Sequence, residues 1–218
     1  MKLWYGVAVV CGAFAASCAQ AAVSVDLKGG HMACRATPGQ ARAKDDAVMS
    51  PDGHTVAYIR FVKSDDVPDG KAGVLWIGDC RTGATRRLLP APFAGRGDTE
   101  GWATLGWPVF SLDGRQVYVG AYYGGDGGLV QRVDISNGRH AYVMAAELFG
   151  IIRNGPYRGD LLASQHTALK DKDGGEYGGY PYSVFTPQGK IVTRLPGSET
   201  WGKRKLKAWL GKQGWQVR

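Results

Sequence analysis

The residues of this chain able to do chemistry are scattered. Of its four histidines, His31, His54, His140 and His166, no two stand at an HxH or HExxH spacing, so the sequence offers no zinc ligand set. No Gly-x-Ser-x-Gly elbow is present, and serines 50, 111, 136, 164, 183 and 198 fall mostly at turns or on expected strands. No glycine-rich phosphate loop opens onto a helix. The sequence therefore implies no catalytic set, no metal and no cofactor. The grouping to test first is His166 with Asp171, Asp173 and Tyr180, which would form a binding or loop-built site if folding brings them together. Asp171-Lys172-Asp173-Gly174-Gly175-Glu176 alternates carboxylates around a glycine bend, as some calcium loops do, but lacks the remaining ligand spacing and reads better as a solvated loop. Gly124 to Gly128 carries one carboxylate and reads as a hairpin tip.

Four cysteines divide by position. Cys11 and Cys18 lie in an N-terminal segment with the order of an export signal: Lys2, the uncharged run Leu3 to Ser17, then Ala19-Gln20-Ala21. The apolar run is short for a membrane-spanning helix. Cleavage after Ala21 gives a periplasmic or secreted protein. The competing readings are a buried N-terminal helix and, from Ala15-Ala16-Ser17-Cys18, a lipobox that would make Cys18 the lipidated terminus of an envelope-anchored protein. Cys34 and Cys80 remain, and in an oxidising compartment two cysteines most simply form one disulfide. Free or metal-binding thiols are the alternative. The net charge is +8 and export argues against nucleic acid as its partner.

Internal repetition organises the rest. Ser50-Pro51-Asp52-Gly53 feeds the alternating run His54 to Phe61, and Ser111-Leu112-Asp113-Gly114 feeds Arg115 to Tyr122. Pro presets such a turn, Asp bonds back to the backbone and Gly accepts positive φ. Period two then places Val56 with Tyr58, and Val117 with Val119, on one face of each strand. Each unit continues into a second hairpin: Val74 to Ile77, a turn at Asp79 to Gly83, then Thr85 to Leu89; and Leu129 to Val133, a turn at Asp134 to Gly138, then His140 to Met144. A weaker third copy places Arg158-Gly159-Asp160 before Leu161 to His166, and Tyr180 to Phe185 before Thr186-Pro187-Gln188-Gly189 and Lys190 to Leu195. The inner-turn glycines 53, 114 and 159 lie 61 and 45 residues apart, and the outer-turn glycines 83, 138 and 189 lie 55 and 51 apart. That period, with about four strands each, predicts an all-β array of about three propeller blades. A β-sandwich with glycine-rich hairpins is the alternative.

Ser50-Pro51-Asp52-Gly53 through Arg81-Thr82-Gly83 resembles the blade of TolB-like propellers, a blade type shared with prolyl-oligopeptidase-like enzymes. Trp107-Pro108-Val109-Phe110-Ser111-Leu112-Asp113-Gly114 resembles a second copy with Leu112 in place of proline. The resemblance spans roughly residues 45 to 196. It implies a structural repeat, in which the motif residues build turns, and it implies no reaction. Propellers close with four blades or more, so three leave sheet edges to be covered. A strand at Val23 to Leu27, a degenerate blade between Arg96 and Trp107, or a second copy of the chain would cover them.

The expected organisation is a signal peptide at 1–21, an N-terminal arm at 22–45, the repeat domain at 46–197 and a basic helix and tail at 198–218. Leu206, Trp209 and Leu210 form one apolar helix face, Gly211 is the expected C-cap, and Trp209 is expected to dock on the sheet. Lys203, Arg204, Lys205 and Lys207, with Trp201, Trp209 and Trp215, also suit a membrane headgroup surface, against the plainer reading of a solvated helix face. The function expected is binding or scaffolding of an unidentified protein or small ligand through loops. An envelope enzyme with a site gathered from loops is the contrasting reading.

Overall fold

The computed structural model describes residues 22–28, 31–37, 47–93, 101–122, 128–170 and 173–217, the side chains of 22–28, 31–37, 176 and 177 excepted. The expected export segment and Cys18 lie outside these residues. So do Asp171, most of the Gly124 to Gly128 tip, and part of the stretch expected to hide a further blade.

The arm forms a hairpin of β1 (Ala22–Lys28) and β2 (His31–Thr37), with Val25 opposite Cys34. The expected strand is there, paired with a second. Blade 1 is the antiparallel meander β3 (Ala47–Met49), β4 (Thr55–Lys63), β5 (Lys71–Asp79) and β6 (Thr85–Leu89). Blade 2 is β7 (Thr104–Phe110), β8 (Gln116–Tyr122), β9 (Gly128–Asp134) and β10 (His140–Ala145). Blade 3 uses β11 (Glu147–Ile151) and β12 (Leu161–Ser164). A small hairpin of β13 (Thr167–Lys170) and β14 (Glu176–Gly179) intervenes before β15 (Tyr182–Phe185) and β16 (Ile191–Arg194) complete the sheet. The described residues thus contain three four-stranded sheets, each in sequence order, which is the blade architecture of a propeller. The stretch suspected of a fourth blade becomes β7 from Thr104 onward.

All six turn glycines named from the repeat have positive φ, from 71° at Gly114 to 98° at Gly159. The inner turns show why Ser and Asp recur. Ser50 Oγ donates to Asp52 Oδ1 at 2.5 Å and accepts from the Thr55 N–H at 2.9 Å. Ser111 repeats both contacts with Asp113 and Gln116, at 2.6 and 3.0 Å. Asp52 and Asp113 accept the N–H groups of His54 and Arg115. The serine hydroxyl therefore satisfies a carboxylate and a strand-opening amide together, and each turn delivers its strand in register.

Blades stack face to face. Ala57, Ile59, Leu75 and Ile77 of blade 1 pack with Leu105, Val117, Val119 and Val133 of blade 2. Val109, Tyr118, Val130 and Met144 on the other face of blade 2 pack with Leu148, Ile151, Leu161 and Ala163 of blade 3. Val56 and Tyr58 turn away from blade 2, as period two requires. The stacking is also read at the turns. An added Cβ on Gly114 would lie 3.5 Å from Pro51, and one on Gly159 would lie 3.8 Å from Leu112. An added Cβ on Gly138 would lie 3.1 Å from the Leu88 carbonyl, and one on Gly189 would strike the Val143 carbonyl.

The far face of blade 3 meets the C-terminal segment. Ile152, Leu162, Tyr182, Val184 and Leu195 pack with Leu206 and Leu210 of helix α1 (Lys203–Lys212), flanked by Trp201, Trp209 and Trp215. Trp209 docks as expected. The expected cap at Gly211 does not hold, because the helix runs through it to Lys212 and the left-handed residue is Gly214. Trp215 N–H bonds to the Leu210 carbonyl and Gly214 N–H to that of Gly211, the paired closure of a Schellman motif. The tail then pairs with the loop after β11. Ile152 bridges Val217, the Arg153 N–H donates to the Gln216 carbonyl at 2.8 Å, and Asn154 bonds both Gly214 and Gln216.

Candidate functional site

Strand direction sorts the loops into two ends. Both turn sets, inner and outer, lie at one end of the blades. The β4–β5 and β8–β9 connections, the β13–β14 hairpin and the starts of β7, β11 and α1 lie at the other. The turns themselves are rich in Asp, Ser, Thr, Asn and Gly. Their carboxylates are held below their ordinary range by local bonds: Asp52 and Asp113 chiefly by the hydroxyls of Ser50 and Ser111, Asp134 by that of Ser136, and Asp79 by the backbone N–H groups of Thr82 and Arg81. These groups are committed to turn geometry.

The opposite end carries His166, Asp173 and Tyr180, three of the four residues named from sequence, while Asp171 lies outside the described residues. His166 and Tyr180 come together at the root of the β13–β14 hairpin, with ring centroids 5.1 Å apart. His166 lies over Gly178, where a Cβ would approach its Nε2 to 2.7 Å. Asp173 is exposed at the hairpin's tip. Four residues of β13 separate that tip from His166, roughly 13 Å of extended chain. His166 and Tyr180 thus form an aromatic pair at the root of the hairpin, with Asp173 at its far end.

A second cluster was not legible in the sequence. Trp107 sits within β7, where the pairing with β8 shifts between Gly106 and Val109. Its φ is +48°, it is followed by Pro108, and its side chain is 47% exposed. Left-handed backbone at a bulky residue costs roughly 1–3 kcal/mol and must be imposed by its surroundings. Here the bulge turns the indole out of the sheet. The Tyr122 ring meets it edge-on at 5.5 Å. Lys203 Nζ lies 5.8 Å from the Trp107 ring, 5.5 Å from the Phe149 ring and 3.3 Å from Glu147 Oε1. Three elements, β7, β11 and α1, thus supply an exposed aromatic face bordered by a carboxylate and an ammonium. Read along the sequence, Trp107-Pro108 belongs to the blade motif, and nothing local announces the bulge.

His140 meets the rings of Phe93 and Trp102 edge-on, at 5.4 and 5.2 Å. Gln116, Arg132, Asp134, Arg139, His140 and Ala141 line a shallow cavity of about 190 Å³ at the turn end. Trp201, Trp209 and Trp215, named above as headgroup anchors, are half-buried against one another and blade 3. Lys203, Arg204, Lys205, Lys207 and Lys212 stay exposed. Among the described residues no group of His, Cys, Asp and Glu is arranged to hold a metal ion, and no helix is long and apolar enough to cross a membrane.

No protein-family model matches the chain, and no curated protein matches it. Solved structures do resemble it. The putative TolB from Agrobacterium tumefaciens aligns over 79% of this chain and 61% of its own, at 16% identity and a TM-score of 0.45. The acylaminoacyl peptidase from Pyrococcus horikoshii aligns over 65% of this chain and 23% of its own, at 14% identity and a TM-score of 0.44. The β-propeller domain of the Trilobed protease from Pyrococcus furiosus, described as having an open velcro topology, aligns over 75% and 45%, at 15% identity and a TM-score of 0.41. The chain spans between 23% and 61% of the length of these three. The blade assignment itself stands on strand order and register.

Proposed function

We propose that this chain is an exported, non-enzymatic propeller-type protein that binds a partner through the end of its blades opposite the Asp-Gly turns. The observation that carries this reading is a set of three exposed aromatic rings, one from each blade: Phe61 near the end of β4, Tyr180 before β15, and Trp107 of mid-β7 beside Lys203 at the start of α1, 52%, 48% and 47% exposed. Tyr142, Ile191 and Val192, 42%, 41% and 44% exposed, lie apart from them on the outermost strands β10 and β16. Exposed aromatic side chains on a rigid scaffold supply contact area at low entropic cost, and they cluster where partners bind. The export segment places the protein in the periplasm or outside the cell on this reading, and a Cys34–Cys80 disulfide would hold the β1–β2 hairpin on blade 1.

Site-specific photocrosslinking in the producing cell tests the proposal. A photoreactive residue at Phe61, Trp107 or Tyr180 is expected to give discrete adducts. The same residue at Arg115 or Lys190, on the turn end, is expected to give none. Adducts restricted to the turn end, or none anywhere, would overturn it.

A further inference from the structure

The geometry points to the Trp107, Glu147 and Lys203 cluster as a saccharide-binding subsite. This rests on the proposed binding role of that end and names a ligand class for it. A sugar ring offers an apolar C–H face and a rim of hydroxyls that both donate and accept. Trp107 offers a half-exposed ring at the bulge, with the Tyr122 ring nearly perpendicular to it at 5.5 Å and the Lys203 ammonium over it at 5.8 Å. Lys203, a donor whose Nζ lies 5.8 Å from that ring, is paired at 3.3 Å with Glu147, an acceptor, their side chains 67% and 42% exposed. A hydroxylated ring stacked on the indole would meet both polar groups at its rim.

Lys203 already lies near two aromatic rings and is paired with Glu147, so its own charge is balanced locally and the subsite does not require an anionic ligand. An apolar peptide side chain would use the ring but leave the ion pair without a role. The residues are contributed by β7, β11 and α1, so the subsite exists only when the C-terminal helix is docked.

The test uses the full exported chain labelled with ¹⁵N at the tryptophan indoles, titrated with chitotriose and with maltotriose. The Trp107 resonance is assigned from a Trp107→Phe spectrum. A saturable shift of that resonance with at least one trisaccharide is expected. Trp107→Ala should abolish saturable binding, and Glu147→Gln should weaken it severalfold while the other indole signals stay in place. Trisaccharides that leave the Trp107 signal unmoved, or shifts that survive Trp107→Ala, would overturn the inference. So would movement of the same signal by a proline-rich peptide but by neither sugar. In all three cases crosslinks at Phe61 and Tyr180 would still uphold the binding role.

Discussion

Trp215 meets Tyr157 edge-on, with ring centroids 5.0 Å apart, and its indole lies against Gly155 in the inner turn of blade 3. Gly114 approaches Pro51 and Gly159 approaches Leu112 in the same way, each from the following blade onto the inner turn before it. The C-terminal tail therefore stands where a next blade's turn would stand. Helix α1 covers the apolar face such a blade would cover. Sheet faces and edges left open are otherwise prone to association.

The helix should hold blade 3 through Leu206 and Leu210, both buried. Replacing either with alanine should cost about 2–5 kcal/mol, the usual range for a core leucine. Lys207→Ala, on the exposed side of the same helix, should change stability by less than about 0.5 kcal/mol. Urea unfolding of the three variants checks the contrast.

The turn glycines should rank by what their missing Cβ would meet. Gly53→Ala pays only for left-handed backbone, about 1–2 kcal/mol, because nothing stands within 4 Å of the added atom. Gly189→Ala adds a collision with the Val143 carbonyl and should lose clearly more. Equal losses in chemical denaturation would show that the turns do not pack as described.

This ranking also shows how far the sequence could be read. Five of the six turn glycines follow from turn chemistry, each closing a local pattern of Asp, Ser or Thr, and Gly159 follows from the repeat. The strands followed by period two. The third copy was harder because its turn has lost the Ser and Asp cage, and the β13–β14 hairpin lengthens its strand connection. The helix end was misplaced by three residues because Gly211 and Gly214 look alike until the Trp215 to Leu210 bond selects one. At the candidate site, His166 and Tyr180 were legible as chemistry but Trp107 was not. Its exposure depends on a bulge and on a helix nearly a hundred residues further along the chain.

Acid should weaken the fold through the turn carboxylates. Asp52 and Asp113 have folded pKa values below those of an unfolded chain, first through Ser50 and Ser111. Their contribution is fully present above the unfolded value, near pH 4, and is lost as pH falls through the lower folded values. Asp113→Asn should lower stability at pH 7 and flatten its dependence on pH below about 4. A denaturant midpoint followed from pH 7 to pH 3 reads both effects.

Cys80, in the turn between β5 and β6 of blade 1, lies beside Met49, with the two sulfurs 3.8 Å apart, and β1 runs close to β3. If Cys34 pairs with Cys80 as proposed, the exported protein should gain the mass of two hydrogens on reduction. Cys34→Ala combined with Cys80→Ala should then lose about 2–4 kcal/mol of stability. An unchanged mass would remove the bond from the account.

The most direct measurement compares the exported chain with one shortened after Gly197, by light scattering behind size exclusion and by near-ultraviolet circular dichroism. The longer chain is expected to be a folded monomer. The shortened one should expose Leu162, Tyr182 and Val184, self-associate and lose part of its aromatic signal. A shortened chain that stays monomeric with its aromatic signal intact, or a longer chain that associates as strongly, would contradict the claim that the C-terminal segment takes the place of a next blade.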